Sequence, residues 1–196
     1  MRTQLTPAQD MTAYAARKRA ALGALTGTVL EIGAGAGANF GYFRRGIRWL
    51  GLEPNPRRRG ELARTAARYG QHAPVLAAPA ERIPLGDASV DAVAATVVLC
   101  SVADQDAVLA EVRRVLRPGG RFVFFEHVAA PAGTWARLLQ RCVAPVTRRF
   151  DGGCDPGRET WRAIEAAGFR EVDASWYTGR PGFGLYQRYF GGVAYV

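Results

Sequence analysis

Residues 28–40 constrain the fold most, because a β-branched and apolar run there gives way to alternating glycines. The first five residues, Thr-Val-Leu-Glu-Ile, are typical of a buried parallel strand. Glycines at 33, 35 and 37 have no Cβ, so the main chain there can adopt positive φ and admit a ligand close to its backbone. The sequence therefore predicts a strand, a tight turn and a nucleotide-type pocket where the strand ends.

Two classes of ligand use such a turn, and the residues around it distinguish them. Gly33, Gly35 and Ala38 satisfy the dinucleotide pattern Gly-x-Gly-x-x-Gly/Ala, so an NAD(P)-dependent oxidoreductase remains an alternative. Glu31 precedes the first glycine by two residues, where a carboxylate attracts an ammonium group and repels a pyrophosphate. Glu53 closes the next apolar run and can accept hydrogen bonds from the ribose of either ligand. The acidic residue at position 31 therefore favours a cationic nucleoside.

A second motif lies further along, where a helical pattern ends at Arg-Pro-Gly-Gly (117–120) and leads into an apolar strand. Together with Glu-x-Gly-x-Gly-x-Gly at 31–37, this motif resembles the class I S-adenosylmethionine-dependent methyltransferases over almost the whole chain. The resemblance implies an α/β, Rossmann-like, doubly wound sheet of seven strands, mostly parallel with an antiparallel C-terminal strand. It also implies a single domain over residues 1–196 and S-adenosylmethionine as the cofactor.

The resemblance assigns the cofactor contacts to loops at one edge of that sheet. Pro79 stands where an adenine-binding aspartate is usual in the family, so adenine recognition is expected from the backbone at Ala80 or Glu81. The expected cofactor contacts are Tyr14, Glu31, Gly33, Ala34, Gly35, Gly37, Asn39, Glu53, Pro54, Asn55, Ala80, Glu81, Thr96, Val97 and Cys100.

Helical and strand patterns around these motifs predict further elements. Residues 7–25 favour a helix, which we interpret as a lid formed by residues 1–25. A crossover helix is expected at 38–45, and a short third strand at 73–77, where Pro74 removes one hydrogen-bond donor.

An apolar helical stripe begins after Gly133 and is headed by Trp135 and Leu138. Pro145 is expected to end or kink this helix. We interpret the region 130–160 as a substrate cover with Trp135 and Leu138 as substrate contacts, while a plain core helix is the alternative.

Composition bounds the class of protein. A chain of 196 residues with 48% hydrophobic content is long enough for one well-buried domain. Its apolar runs are too interrupted to span a bilayer and its first ten residues are polar, so we expect a soluble, cytoplasmic protein. The cysteines (100, 142 and 154) and histidines (72 and 127) lack paired spacing, so neither a disulfide framework nor a metal site is expected.

The formal net charge of +9 raises the question of an acidic partner. Lys18 is the only lysine, and the arginines are scattered through an Ala- and Gly-rich chain without an aromatic stacking platform. We therefore expect no nucleic-acid partner, while a weak attraction to anionic membranes stays open.

Three further stretches together narrow the family: 96–102, then 126–130 with Thr134-Trp135, then 151–154 with 158–161. In combination they resemble the animal methyltransferase-like proteins that methylate alkyl thiols, and their bacterial relatives. Those animal proteins begin with a hydrophobic membrane anchor, and this chain is not expected to have one. The resemblance implies a small thiol acceptor and a monomer or homodimer. Nitrogen, oxygen or carbon methylation of a phospholipid, quinol or natural-product intermediate remains the alternative.

Methyl transfer to a thiol needs a deprotonated acceptor held in line with the cofactor. His127, at the end of the fifth predicted strand, and Asp151 are the expected proton acceptors, with a structural histidine as the alternative for His127. Cys100 is expected either to pack in the core or to form a pocket wall near the transferred methyl group.

Overall fold

One six-stranded sheet forms the centre of the described chain. The computed structural model describes residues 8–150, 152–179 and 187–196. Its strands are β1 (Thr28–Ile32), β2 (Arg48–Leu52), β3 (Val90–Thr96), β4 (Leu116–Val128), β5 (Glu171–Gly179) and β6 (Gln187–Tyr195). Its helices are α1 (Met11–Gly23), α2 (Pro56–Arg68), α3 (Gln105–Val115), α4 (Trp135–Phe150) and α5 (Thr160–Ala166).

The strand order is β2-β1-β3-β4-β6-β5, and β1 to β4 are parallel. β6 lies between β4 and β5 and runs antiparallel to both, which confirms the predicted antiparallel C-terminal strand. Because β1 to β4 run in one direction, their carboxyl ends meet at one edge, where ligands bind in sheets of this kind.

Hydrophobic side chains alternate between the two faces of the sheet. Val123 and Phe125 pack with α1 and α2, whereas Phe122 and Phe124 pack with α3 and α5. Both faces are covered, which explains why the parallel strands read as nearly continuous apolar runs. The α/β doubly wound architecture is therefore confirmed.

Two predicted elements are wrong. Residues 73–77 form only an isolated bridge between Leu52 and Leu76, because Pro74 lacks an amide and Pro79 follows closely, so this segment adds no seventh strand. Residues 38–45 form successive turns instead of a crossover helix. Their hydrogen bonds span three residues, as from the Tyr42 amide to the Asn39 carbonyl, and the surrounding glycines do not favour a longer helix.

Capping side chains stabilise the starts of α2 and α3. Asn55 accepts a hydrogen bond from the Arg57 amide, with Pro56 at the first helical position of α2. Asp104 accepts from the amides of residues 106 and 107 at the start of α3. The predicted N-terminal helix corresponds to α1.

Of the two outcomes expected at Pro145, an end or a kink, the helix does not end there, because α4 continues to Phe150. Gln140, on its inner side, accepts a hydrogen bond from the Ala130 amide and donates one to the Val128 carbonyl. Within the described ranges, no helix has both the length and the apolar character that crossing a bilayer requires.

Gly192 is required where β6 meets β5. A Cβ at this position would lie 2.1 Å from the Asp173 carbonyl oxygen and 2.6 Å from the Ala174 Cα. We expect Gly192→Ala to lower the free energy of unfolding by about 3 kcal/mol, because rigid backbone would have to move. Urea denaturation measures the change. Gly60→Ala in α2, where the nearest heavy atom is 3.7 Å away, is the control and should raise stability by about 0.5–1 kcal/mol. Similar effects of the two changes would contradict this account.

Candidate active site

A cavity of about 550 Å³ lies beyond the carboxyl ends of β1, β2 and β3. The expected cofactor contacts that line it are Glu31, Gly33, Ala34, Gly35, Asn39, Glu53, Pro54, Ala80, Glu81, Thr96 and Val97. The lining residues that were not expected as cofactor contacts include Lys18, Arg58, Val98, Ser101, Val102, Gly152 and Cys154. The cavity is therefore built around the predicted glycine turn.

The glycine turn exposes bare backbone to this cavity. Gly33 has φ of +57°, and a Cβ there would lie 2.7 Å from Cγ2 of Val98. Gly35 has φ of +59°, and a Cβ there would have only Arg58 nearby, at 3.8 Å. Gly33 thus meets both a conformational and a packing requirement, whereas Gly35 leaves open space for a ligand against the main chain.

Glu31 is buried at one end of the turn, and its two carboxylate oxygens are held by different side chains. Asn39 donates from Nδ2 to Oε1 at 2.7 Å, and Trp49 donates from Nε1 to Oε2 at 2.8 Å. The same Asn39 nitrogen also donates to Oγ1 of Thr96 at 3.1 Å. Asn39 Oδ1 is buried and has no hydrogen-bond partner among the described residues. This orphaned acceptor, next to a carboxylate, suits a ligand that carries an ammonium group.

Burial shifts the pKa values of the two charged side chains at this end of the cavity, Glu31 and Lys18. Burial raises the pKa of Glu31 to about 7, although the hydrogen bonds from Asn39 and Trp49 and the charge of Lys18 oppose the rise. Burial lowers the pKa of Lys18, while the nearby Glu31 charge counteracts it. Lys18 also lies over the Tyr42 ring, with Nζ 5.1 Å from the ring centroid. Its position as the only lysine, within the predicted lid helix, was the sequence signal that could have identified it.

Glu53 lies on the other side of the glycine turn and is also buried. Its Oε2 accepts a hydrogen bond from the Gly35 amide, and its Oε1 accepts one from the Asn55 amide, both at 2.8 Å. These two bonds fix the carboxylate and leave lone pairs for the hydroxyl groups of a sugar.

Another wall of the cavity is formed by the loop after Leu76, and side chains of α3 hold this loop in place. Arg114 donates to the carbonyls of Ile83 and Leu85 and pairs with Glu111 and Asp87. The side chain of Glu81 accepts a hydrogen bond from the Ala103 amide, which joins this loop to the turn before α3. Ala80 and Glu81 line the cavity as expected, but the Glu81 carboxylate is engaged with the protein.

The turn that follows β3 forms a further wall of the cavity. Val97 has φ of +56°, an uncommon conformation for a β-branched residue. Glu126, fully buried in β4, accepts hydrogen bonds from the Val98 amide at 3.0 Å and from the Cys100 amide at 3.4 Å. Burial raises the pKa of Glu126 to about 7 against these bonds. The sequence analysis missed this residue, because one acidic residue in an apolar strand does not show which loop it contacts.

Cys100, Cys154 and His127 meet where this turn reaches the cavity. The Cys154 and Cys100 sulfurs are 3.4 Å apart, and Nδ1 of His127 is 3.7 Å from the Cys154 sulfur. The hydrogen bond from Cys154 and burial raise the pKa of the Cys100 thiol above its usual range. Cys154 lines the cavity, Cys100 is fully buried behind it, and His127 is half-buried against the Tyr189 ring.

The segment 152–160 brings Cys154 to this position. Gly153 has φ of +92°, and a Cβ there would lie 3.1 Å from the Ser101 carbonyl oxygen, so only glycine allows the close approach. The Asp155 amide donates to the Cys100 carbonyl at 3.0 Å, and Arg158 donates to the Leu99 and Val102 carbonyls. These hydrogen bonds join the segment 152–160 to the turn after β3 along one wall of the cavity.

Several expected site residues lie elsewhere. The Tyr14 ring packs against Phe125, Tyr177 and Tyr189. Among the other expected contacts, Gly37 is in the turn but off the cavity, Asn55 caps α2, and Cys100 lies behind the wall.

The two expected substrate contacts also lie off the cavity. Trp135 and Leu138 are on the outer face of α4, 75% and 51% exposed, because the opposite face carries Gln140 and packs inward. Asp151 lies outside the described residues.

Comparisons with known proteins agree with this geometry. A family described as a methyltransferase domain matches residues 30–124. The human thiol S-methyltransferase TMT1B is 44% identical over 147 residues, which are 74% of this chain and 60% of that protein. The human thiol S-methyltransferase TMT1A is 41% identical over 148 residues, which are 74% of this chain and 61% of that protein. The chain therefore matches about three fifths of the length of these relatives.

A solved structure with a similar fold is the geranyl diphosphate C-methyltransferase of Streptomyces coelicolor A3(2), in complex with S-adenosyl-L-homocysteine. The TM-score is 0.68 with 16% identity, and the match covers 94% of this chain and 80% of that chain. This similarity concerns the fold.

The buried Glu126 supports a stability prediction. Glu126→Ala leaves the Val98 and Cys100 amides without their acceptor, and we expect the free energy of unfolding to fall by about 3 kcal/mol. Glu61→Ala, which changes an exposed glutamate on α2, should alter it by no more than about 0.5 kcal/mol. Chemical denaturation of both variants makes the comparison, and equal stability of the two would contradict the assigned role of Glu126.

Proposed function

Because this chain belongs to the S-adenosylmethionine-dependent methyltransferases, we propose that it transfers a methyl group from S-adenosylmethionine to a small thiol. The observation that carries the cofactor assignment is the cavity over the glycine turn, with Glu31 and the orphaned Asn39 oxygen at one side and Glu53 at the other. The thiol acceptor is proposed from the relatives, which are thiol S-methyltransferases.

The residues around the cavity fit the parts of this cofactor. In the proposal, Asn39 and Glu31 hold its ammonium group and Lys18 faces its carboxylate. Glu53 accepts the ribose hydroxyls, and the backbone at Ala80 and Glu81 meets the adenine. The cofactor supplies a methyl group on a positively charged sulfur, which departs as a thioether when the acceptor sulfur forms its bond to carbon.

The chain's own task is to hold the acceptor in line and to remove its proton. We propose that the acceptor sulfur enters beside Cys154 and Ser101, at the end of the cavity that His127 approaches. His127 and Asp151 remain the proposed proton acceptors. The apolar side chains of Val97 and Val102 limit the water around the acceptor sulfur.

The remaining sequence-based expectations are kept as proposals. Residues 1–25 would act as a lid, which the contribution of Lys18 from α1 supports, and 130–160 as a substrate cover, which Cys154 supports. We also keep the predictions that the protein is cytoplasmic, that it is a monomer or homodimer, and that it forms one domain. Methylation of nitrogen, oxygen or carbon remains the alternative activity. The position of Glu31 beside the turn argues against a pyrophosphate ligand and hence against an oxidoreductase.

An acceptor screen tests the proposed activity. We expect alkyl thiols to give S-adenosylhomocysteine and the methyl thioether, because a deprotonated sulfur is a strong nucleophile for a sulfonium methyl group. Matched alcohols, amines and quinols are the controls, with release of S-adenosylhomocysteine as the measurement. Turnover of an amine or quinol with none of any thiol would reject the thiol assignment while keeping the methyltransferase.

The cofactor site predicts a pH dependence of binding. With a folded pKa of about 7, Glu31 gains its charge as pH rises, so affinity for a ligand ammonium group should rise. Between pH 5.5 and 7, where an α-amino group stays protonated, the Kd of S-adenosylhomocysteine should fall about tenfold. The facing charge is that of Lys18, whose pKa is lowered by burial and supported by the charge of Glu31.

Isothermal calorimetry across this pH range makes the measurement, with Glu31→Gln as the control that keeps the shape without the charge. The Gln variant should bind more weakly at pH 7 and show a flat profile. Glu53→Ala should weaken binding at every pH, since it removes the sugar contact. An unchanged pH profile in Glu31→Gln would show that another group titrates.

A further inference from the structure

We propose that Cys100, Cys154 and His127 form a three-ligand zinc site whose open fourth position faces the cavity. The three donor atoms, two sulfurs and one ring nitrogen, all lie within 4.8 Å of one another. They come from three separate segments: the turn after β3, the loop after α4 and the end of β4. Sequence spacing gives no sign of such a site, which explains why none was expected.

The distances suit a single tetrahedral ion. With Zn–S of about 2.3 Å and Zn–N of about 2.0–2.1 Å, two sulfur ligands lie about 3.8 Å apart, and sulfur and nitrogen about 3.6 Å apart. The Cys100 and Cys154 sulfurs are 3.4 Å apart, and Cys154 Sγ is 3.7 Å from His127 Nδ1. These two distances would change by a few tenths of an ångström on metal binding, and the Cys100 sulfur and the His127 nitrogen, which lie within 4.8 Å of each other, would approach to about 3.6 Å.

The fold holds each donor independently. Cys100 is fixed by the turn that Glu126 anchors, and Cys154 by the close approach of Gly153 to Ser101. The His127 ring packs against Tyr189, with ring centroids 4.7 Å apart. Sites whose ligands are positioned before the metal binds lose less entropy on binding.

The donor chemistry selects zinc over hard cations. Two thiolates and one imidazole are soft or borderline ligands, whereas Mg²⁺ and Ca²⁺ prefer oxygen. Two thiolates also neutralise a divalent ion, so the complex brings no net charge into a buried site. Three protein ligands with an open position are the arrangement of catalytic zinc sites.

The open fourth position of the zinc site would explain how the acceptor thiol loses its proton, and this inference rests on the proposed function. An acceptor thiol that enters beside Cys154 would become the fourth ligand and release its proton to solvent, because a coordinating thiol is deprotonated outright. The zinc-bound sulfur then forms its bond to the methyl carbon. The sulfonium C–S bond breaks with its electron pair, and the thioether product leaves the metal. In this arrangement His127 binds the metal through Nδ1, a role that replaces the proton acceptance proposed for it above.

Zinc titration of the full chain tests the site without relying on activity. Reduced protein, freed of metal by a thiol-free chelator, is titrated with Zn²⁺ by calorimetry and with Co²⁺ by absorption, which reports thiolate ligation. We expect one equivalent to bind, with affinity lowered at least about 100-fold in Cys100→Ala, Cys154→Ala and His127→Ala. Cys142→Ala, at an exposed position on α4, is the matched control and should bind as the parent does. S-adenosylhomocysteine binding by each variant verifies that the cavity is intact.

Failure of the parent to bind Zn²⁺, or an equal loss in Cys142→Ala, overturns the site. Binding without a thiolate absorption band also overturns it. A thiol-dependent change of the Co²⁺ spectrum supports the fourth-ligand role. Thiol methylation at full rate in the metal-free protein overturns that role. Zinc bound by these three residues, in a protein that methylates no thiol, keeps the metal site and rejects the proposed function.

Discussion

Buried carboxylates at the ends of parallel strands organise the cavity. Glu31 lies one residue before the end of β1, beside Asn39 and Trp49. Glu53 follows β2 and accepts from the Gly35 amide, and Glu126 in β4 holds the turn after β3. Strand ends leave backbone amides that need acceptors, and a fixed carboxylate can satisfy two at once. Glu53 and Glu126 therefore fix the loops, while Glu31 and Glu53 line the cavity itself.

The polar groups divide the cavity by chemistry. One end combines Glu31, Asn39 and Lys18 and suits a ligand part with both charges, while Glu53 suits a sugar. The remaining end contains Ser101 and Cys154 with Cys100 and His127 behind them, which suits a soft acceptor. The residues proposed to hold the ammonium group and the sugar of the cofactor therefore lie on different segments from Ser101 and Cys154, which are proposed to face the acceptor.

Local patterns predicted much of this arrangement from the sequence. The strand before the glycine turn and the placement of Glu31 and Glu53 depend on neighbouring residues, so sequence reasoning reached them. Two failures are local, at 38–45 and 73–77, where glycines and prolines disfavour regular structure, and the others involve contacts between distant segments. An apolar stripe predicts that one face of a helix contacts the core or a ligand, but it does not predict that Trp135 would be exposed. The grouping of Cys100 with Cys154 depends on how two loops pack, which spacing along the chain does not encode.

The missing side chain of Gly153 affects one end of the cavity, the end that contains Ser101 and Cys154. Its lack of a side chain lets the 152–154 segment rest on the Ser101 carbonyl, and nothing at the Glu31 or Glu53 end depends on that contact. One added methyl group would therefore have to displace either the Ser101 carbonyl or the segment that carries Cys154. With the acceptor beside Cys154, as proposed, a substitution at this single position would alter the acceptor end of the cavity before the cofactor end.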